Sequence, residues 1–198
     1  THSPIHRCLM VEISLRRYTQ KIDELVENRE LDAAIAHSRH VLQQHPKNAD
    51  VYRSLGRVLM LQSRWQDAAE IYRRLLAAYP TEFNAHDQLS LAYEQLKRYE
   101  DAIWHLERAY DQQPNNKNVI SRLRTLYADV RGLQLEKLQL TAGAIAEQYL
   151  RNGLAEEAAN VLMDALEQRP SRLDLRLQLA RALWESDLRL EAAETAID

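Results

Sequence analysis

The chain has 198 residues, 45% hydrophobic and 28% charged, with a formal net charge of −3 at pH 7. That balance excludes a disordered chain, and no excess of positive charge calls for nucleic acid or an anionic membrane surface. Four Gly and five Pro are too few for a turn-dense sandwich or barrel, while Leu, Ala, Arg, Glu and Lys supply half of the residues, a composition of long helices. No apolar run approaches the roughly 18 residues of a membrane-spanning helix. Cys8 is the only cysteine, which excludes an intrachain disulfide framework and a multi-cysteine metal site and fits a reducing, cytoplasmic setting.

Residues 1–14 open with Ser3-Pro4, an N-cap and first-turn pair, and Ile5, Leu9 and Ile13 recur at every fourth position, so a helical cap is expected there. Beyond it a pattern returns at fixed spacing. Ala34, Ala68 and Ala102 are evenly spaced, and Pro46, Pro80 and Pro114 keep the same interval. Ala158 and Pro170 repeat the alanine-to-proline offset further on. A constant period of this length marks a solenoid or array. One period reads Tyr52, Leu55-Gly56, Leu59, Ala68, Tyr72 and Pro80; the next reads Leu89-Ser90, Tyr93, Ala102, Leu106 and Pro114. A later one carries Ile145-Ala146, Tyr149, Ala158, Leu162 and Pro170. The first keeps only Leu25, Ala34 and Pro46, and a sixth begins with Leu179-Ala180 and Leu183.

In these residues the sequence resembles the tetratricopeptide repeat family. The resemblance implies an all-α, right-handed α-solenoid of about eleven helices, built from antiparallel pairs A and B. It divides the chain into three repeats over 15–114, an irregular repeat over 115–138, and one full and one truncated repeat over 139–198. Gly56, Ser90 and Ala146 on helix A, and the repeating alanines on helix B, are small so that the two helices approach closely. Each Pro closes a helix B, because it cannot donate to the helix and pushes its predecessor out of the α region. Ser171 with Asp174, and Thr81, are expected to cap the helices that follow.

The period breaks once: Ala158 arrives a third of a repeat too early to stand two full periods after Ala102. Val119, Leu123, Leu126, Tyr127 and Val130 trace a helix A that stops near Gly132. No Pro interrupts 133–152, and Leu135, Leu138, Ala142, Ile145 and Tyr149 share one helical face. One helix over 133–152 is expected, in place of a missing helix B; the alternative is a short, distorted helix B over 133–140.

Among candidate sites, His37 and His40 share one helix face with His45 a turn beyond, and His2, His6 and Cys8 cluster at the start. Neither group brings the converging ligands and supporting carboxylates that a metal needs, so no metal or cofactor is expected. No Gly-rich phosphate loop, nucleophile elbow or zinc-protease motif is present, so no catalytic residues are assigned. The family lines its inner wall with helix A and takes extended peptides or partner helices there. By that resemblance the candidate peptide-binding residues are Arg53, Arg57, Met60, Gln88, Leu91, Asn118 and Arg122. Arg53 with Arg57, and Asn118 with Arg122, are spaced i, i+4 and share a face. Asp87 and Glu94 lie among them, so an acidic-peptide clamp competes with a groove closed by internal pairs such as Arg57 with Glu94 or Asp87. The expected function is a protein–protein interaction scaffold or adaptor with a protein or peptide partner. The alternatives are the regulatory arm of a larger enzyme and a self-assembling repeat protein that forms homo-oligomers through its exposed terminal repeat.

Overall fold

The structure, a computed structural model, describes residues 15–135 and 138–197; the expected cap over 1–14 lies outside them. Eleven helices are the regular elements of the described residues. They are α1 (Leu15–Glu27), α2 (Leu31–Gln44), α3 (Ala49–Leu61), α4 (Trp65–Ala78), α5 (Phe83–Gln95), α6 (Tyr99–Gln112), α7 (Lys117–Arg131), α8 (Ala142–Arg151), α9 (Ala155–Gln168), α10 (Leu173–Glu185) and α11 (Arg189–Ile197). Successive helices pack as pairs α1–α2, α3–α4, α5–α6, α8–α9 and α10–α11, with α7 against α6. The molecule is an α-solenoid.

The repeating small residues sit where the pairs touch. Ala34, Ala68, Ala102 and Ala158 are completely buried, as are Ser90 and Ala146. Gly56 shows why size matters: a Cβ there would lie 2.6 Å from Cζ of Tyr72, so α3 rests directly on that ring. Each repeating Pro stands just beyond a helix B. The residue before it leaves the helical region (φ −128 at His45, −134 at Tyr79 and Gln113, −141 at Arg169), and its N–H closes the last turn.

The A-to-B turns obey the same period. Arg29, Ser63, Lys97, Gly153 and Asp187 hold equivalent places, all with left-handed backbone. In each, the following N–H reaches back over the turn to a helix A carbonyl, as Arg64 does to Leu59 at 2.9 Å and Arg98 to Tyr93 at 2.8 Å. This is a Schellman closure, which favours glycine, yet only one of the five is glycine.

Two expected caps are corrected. The N-cap positions of α5 and α10 are Glu82 and Arg172, neither with a side-chain capping bond, and Asp174 turns to Arg172 instead of closing a capping box with Ser171. Side-chain caps come from Asn48, Asn116 and Thr141.

The single helix expected over 133–152 is also corrected. Gly132 ends α7 in the left-handed conformation (φ 66), the described residues between it and Thr141 are non-helical, and α8 starts only at Ala142; no helix B forms among the described residues of 133–140 either. The physical reason lies in register. Arg124 occupies the place one period after Ser90, where helix A must be small to receive its helix B. Its Nε donates to the Leu135 carbonyl at 3.1 Å, tying the connector down where a helix would otherwise pack.

With that helix missing, α8 docks on α6. The Thr141 hydroxyl donates to the Asp111 carboxylate and accepts from Ala144 N–H, and a Cβ on Gly143 would lie 3.0 Å from Asp111 Cβ. Arg172, entering α10, reaches Asp111 at 3.2 Å and Asp174 at 2.6 Å, while Arg108 of α6 lies 3.8 Å from both carboxylates. Burial pushes Asp111 up to about 6, against the hydrogen bond from Thr141 and the two guanidinium charges. Burial likewise pushes Arg108 down. Asp174 feels burial too, but the Arg172 hydrogen bond and charge overcome it and hold its carboxyl below the usual range. This polar seam joins two hydrophobic cores, one running from Ile22 to Ala144 and the other from Ala146 to Ala192.

Candidate functional site

Helices α1, α3 and α5 lie side by side and enclose a cleft of about 870 Å³. Its walls follow the period: Gln20, Ser54 and Gln88 are equivalent residues of the three A helices, as are Asp23 and Arg57 of the first two. Asn48, Asn84 and Arg16 complete its polar rim, and Tyr72 reaches in from α4.

The charged groups are largely committed to one another. Arg53 donates to both oxygens of Glu82, at 2.8 and 3.1 Å, and to Asp50 at 2.6 Å. The Glu82 hydrogen bond, opposed by partial burial, holds the Arg53 guanidinium above its ordinary value. Asp23 accepts from Ser54 at 2.7 Å and from Arg57 at 3.0 Å. Arg57 is 53% exposed and makes that one hydrogen bond, so spare N–H groups face the cleft. The amides are freer. Gln20 and Asn84 have no hydrogen-bond partner among the described residues, and Asn48 uses only its oxygen, to cap Val51.

Tyr72 is 3% exposed, its ring flat against Gly56. Burial pushes its phenol up, while Arg57 pulls it down and Asp87 adds to the rise, so both charges lie near the hydroxyl.

Of the residues expected from sequence, Arg53, Arg57 and Gln88 line this cleft, and Met60, Leu91, Asn118 and Arg122 do not. Met60 packs partly buried against the core, Leu91 is half-buried on α5, and Asn118 is exposed in the first turn of α7. Arg122 ties α7 to α5, donating to Asp87 at 2.6 Å, to Ser90 at 2.6 Å and to Glu94. Asp87 and Glu94 thus pair with Arg122, and Arg57 pairs with Asp23. Sequence reasoning missed Gln20, Asp23 and Asn84, although stepping back one period at a time from Gln88 through Ser54 to Gln20, and from Arg57 to Asp23, leads to two of them.

The histidines take local roles. His37 shares a 2.9 Å hydrogen bond with the Tyr18 hydroxyl. His86 Nε2 lies 2.9 Å from the Pro80 carbonyl, which can only accept, so His86 Nδ1 accepts in turn from His105 Nδ1 at 2.9 Å. Burial pushes both rings down, to about 4 and about 3 respectively. Among the described residues no group of three or more His, Cys, Asp or Glu is placed to hold a metal, and no helix is long and apolar enough to cross a membrane.

Residues 19–83, which span α1 to α4, match the tetratricopeptide repeat family. Solved structures share the fold over most of the chain. A MamA protein superposes with a TM-score of 0.54 at 19% identity, over 90% of this chain and 85% of that one. YrrB, described as a tetratricopeptide protein with an unusual peptide-binding site, gives 0.54 at 19% identity over 92% and 84%. The first tetratricopeptide domain of Spaghetti (RPAP3), solved with the HSP90 peptide SRMEEVD, gives 0.55 at 18% identity over 58% and 90%. No curated protein sequence matches. The family match thus covers α1 to α4, and the solved structures share the fold of helix pairs that this chain repeats through α11.

Proposed function

We propose that this protein is an interaction scaffold that holds an extended peptide segment in the cleft of α1, α3 and α5, mainly through its main chain. The observation that carries the reading is the inventory of that cleft. The free groups at its wall are amides, the Arg16 guanidinium, which has no partner among the described residues, and the half-used guanidinium of Arg57, spaced along three helices, while Arg53 is satisfied internally. Primary amides both donate and accept, so they suit the alternating N–H and C=O groups of an extended chain. The volume is in the range of sites that take compact ligands or a short stretch of peptide. YrrB and the Spaghetti domain, which share the fold, are described with a peptide-binding site and a bound peptide.

The test is selection of linear peptides from a displayed random library, followed by titration against Gln20→Ala/Gln88→Ala and Arg57→Ala. Losing two neutral hydrogen-bonding groups weakens binding about tenfold or more, at about 1 kcal/mol each. Between about 0.05 and about 0.3 M salt the affinity changes little, since few unpaired charges are screened. Affinities untouched by the double substitution would place the partner on another face. A steep salt dependence with Arg57→Ala dominant would instead favour an acidic peptide.

A further inference from the structure

We propose that the Tyr72 hydroxyl is a recognition element in the floor of this cleft, donating a hydrogen bond to a main-chain carbonyl of the bound peptide; the proposal rests on the cleft being the binding site. The position is a core one: Ser38 and Leu106 stand one period to either side, both fully buried. A phenylalanine would fill it without introducing a polar atom. Instead a hydroxyl is present, on a side chain 3% exposed, with no hydrogen-bond partner among the described residues. A tyrosine in a core place must bring its hydroxyl to a partner or to solvent, and here the hydroxyl opens onto the cleft. The ring reaches the cleft only because Gly56 has no side chain: a Cβ there would collide with Cζ, the carbon bearing the hydroxyl. The glycine of helix A and the tyrosine of helix B together open a port from the core into the groove.

The surroundings select a neutral acceptor. Arg57 and Asp87, the charges nearest the phenol, are of opposite sign, and each is already engaged, Arg57 by Asp23 and Asp87 by Arg122. Asp87 opposes the Arg57 charge at the hydroxyl, so a carboxylate gains less there than it would beside a lone guanidinium. A peptide carbonyl brings a strong acceptor without a charge, and it is the acceptor that an extended segment supplies at every residue.

Tyr72→Phe tests this cleanly, because it removes a group with no internal partner and keeps the ring that fills the core. Peptides selected on the wild-type protein from a random library are titrated against wild type, Tyr72→Phe and Gln20→Ala/Gln88→Ala, and the melting temperature of each is recorded. Tyr72→Phe should melt no lower than wild type yet bind about fivefold more weakly, the size of one neutral hydrogen bond. Replacing peptide carbonyls one at a time by thiocarbonyls, which accept poorly, should weaken wild type at one position and leave Tyr72→Phe insensitive there. If Tyr72→Phe binds as wild type while the glutamine pair weakens, the hydroxyl has no part and the cleft reading stands. If neither variant changes affinity, or no peptide binds at all, both fall. Carbonyl replacements felt equally by wild type and Tyr72→Phe overturn the donor assignment.

Discussion

The buried carboxylate of Asp111 gives a prediction whose sign is fixed by its surroundings. Its folded value, about 6, lies above the ordinary 3.8 because burial outweighs Thr141, Arg108 and Arg172. A raised carboxylate binds its proton more tightly when folded, so it imposes no penalty below the unfolded value. The penalty grows as pH rises through the window between about 4 and about 6, and is complete above it. A rise of that size corresponds to about 3 kcal/mol. Asp111→Asn mimics the protonated state and keeps an oxygen to accept from Thr141. Urea unfolding of both proteins at about pH 7.5 and about pH 4.5 isolates the effect, because every other titrating group is common to both. The variant should gain about 2 kcal/mol relative to wild type at the higher pH compared with the lower. A stability difference that is the same at both values, or that moves the other way, would refute the claim that burial dominates at this seam.

The His86–His105 pair acts in the opposite sense. Both rings fold neutral with depressed values, about 4 and about 3, so their contribution is complete above about 6.5 and is lost as pH falls through about 4, on the order of 1 kcal/mol per pH unit for each ring. His105→Gln should therefore show a shallower acid-side loss of stability in the same unfolding series. Ala68, completely buried at the α3–α4 contact, should not tolerate enlargement: Ala68→Leu costs about 1–3 kcal/mol. Hydrogen exchange should rise in α3 to α5 and stay unchanged in α9 to α11, because a solenoid confines damage to neighbouring repeats.

The parts of this fold legible in the sequence are those where one residue type is the only physical solution. An alanine where two helices cross and a proline where one must stop recur because nothing else serves, and they announce the helix pairs. The turns between helices A and B are less visible. Their left-handed residues are Arg29, Ser63, Lys97 and Asp187 as well as Gly153, so the expected glycine signal is present once in five. The connector misleads because apolar spacing reads a buried face, whereas Gly132 and Thr141 impose their breaks through backbone conformation and capping. Arg124, in a place reserved for a small residue, is the available warning. In the cleft, sequence supplies the arginines but not their partners. Those partners lie about one repeat away, in Asp23 and Glu82, and whether a guanidinium is free depends on them. Tyr72 reads as core, which its ring is; where its hydroxyl emerges depends on the glycine it faces.

The connector has a mechanical consequence. Elsewhere, tension along the solenoid is shared by continuous apolar contact between successive pairs. At the seam it falls on α6 against α8 and on the few polar contacts around Asp111, Arg172 and Asp174. Hydrogen bonds and ion pairs are short-ranged and yield within a small displacement, whereas an apolar interface peels gradually. Pulled from its two ends, the protein should part first at this joint. Its two cores would come away as intact blocks on a short tether, each unravelling only at higher load.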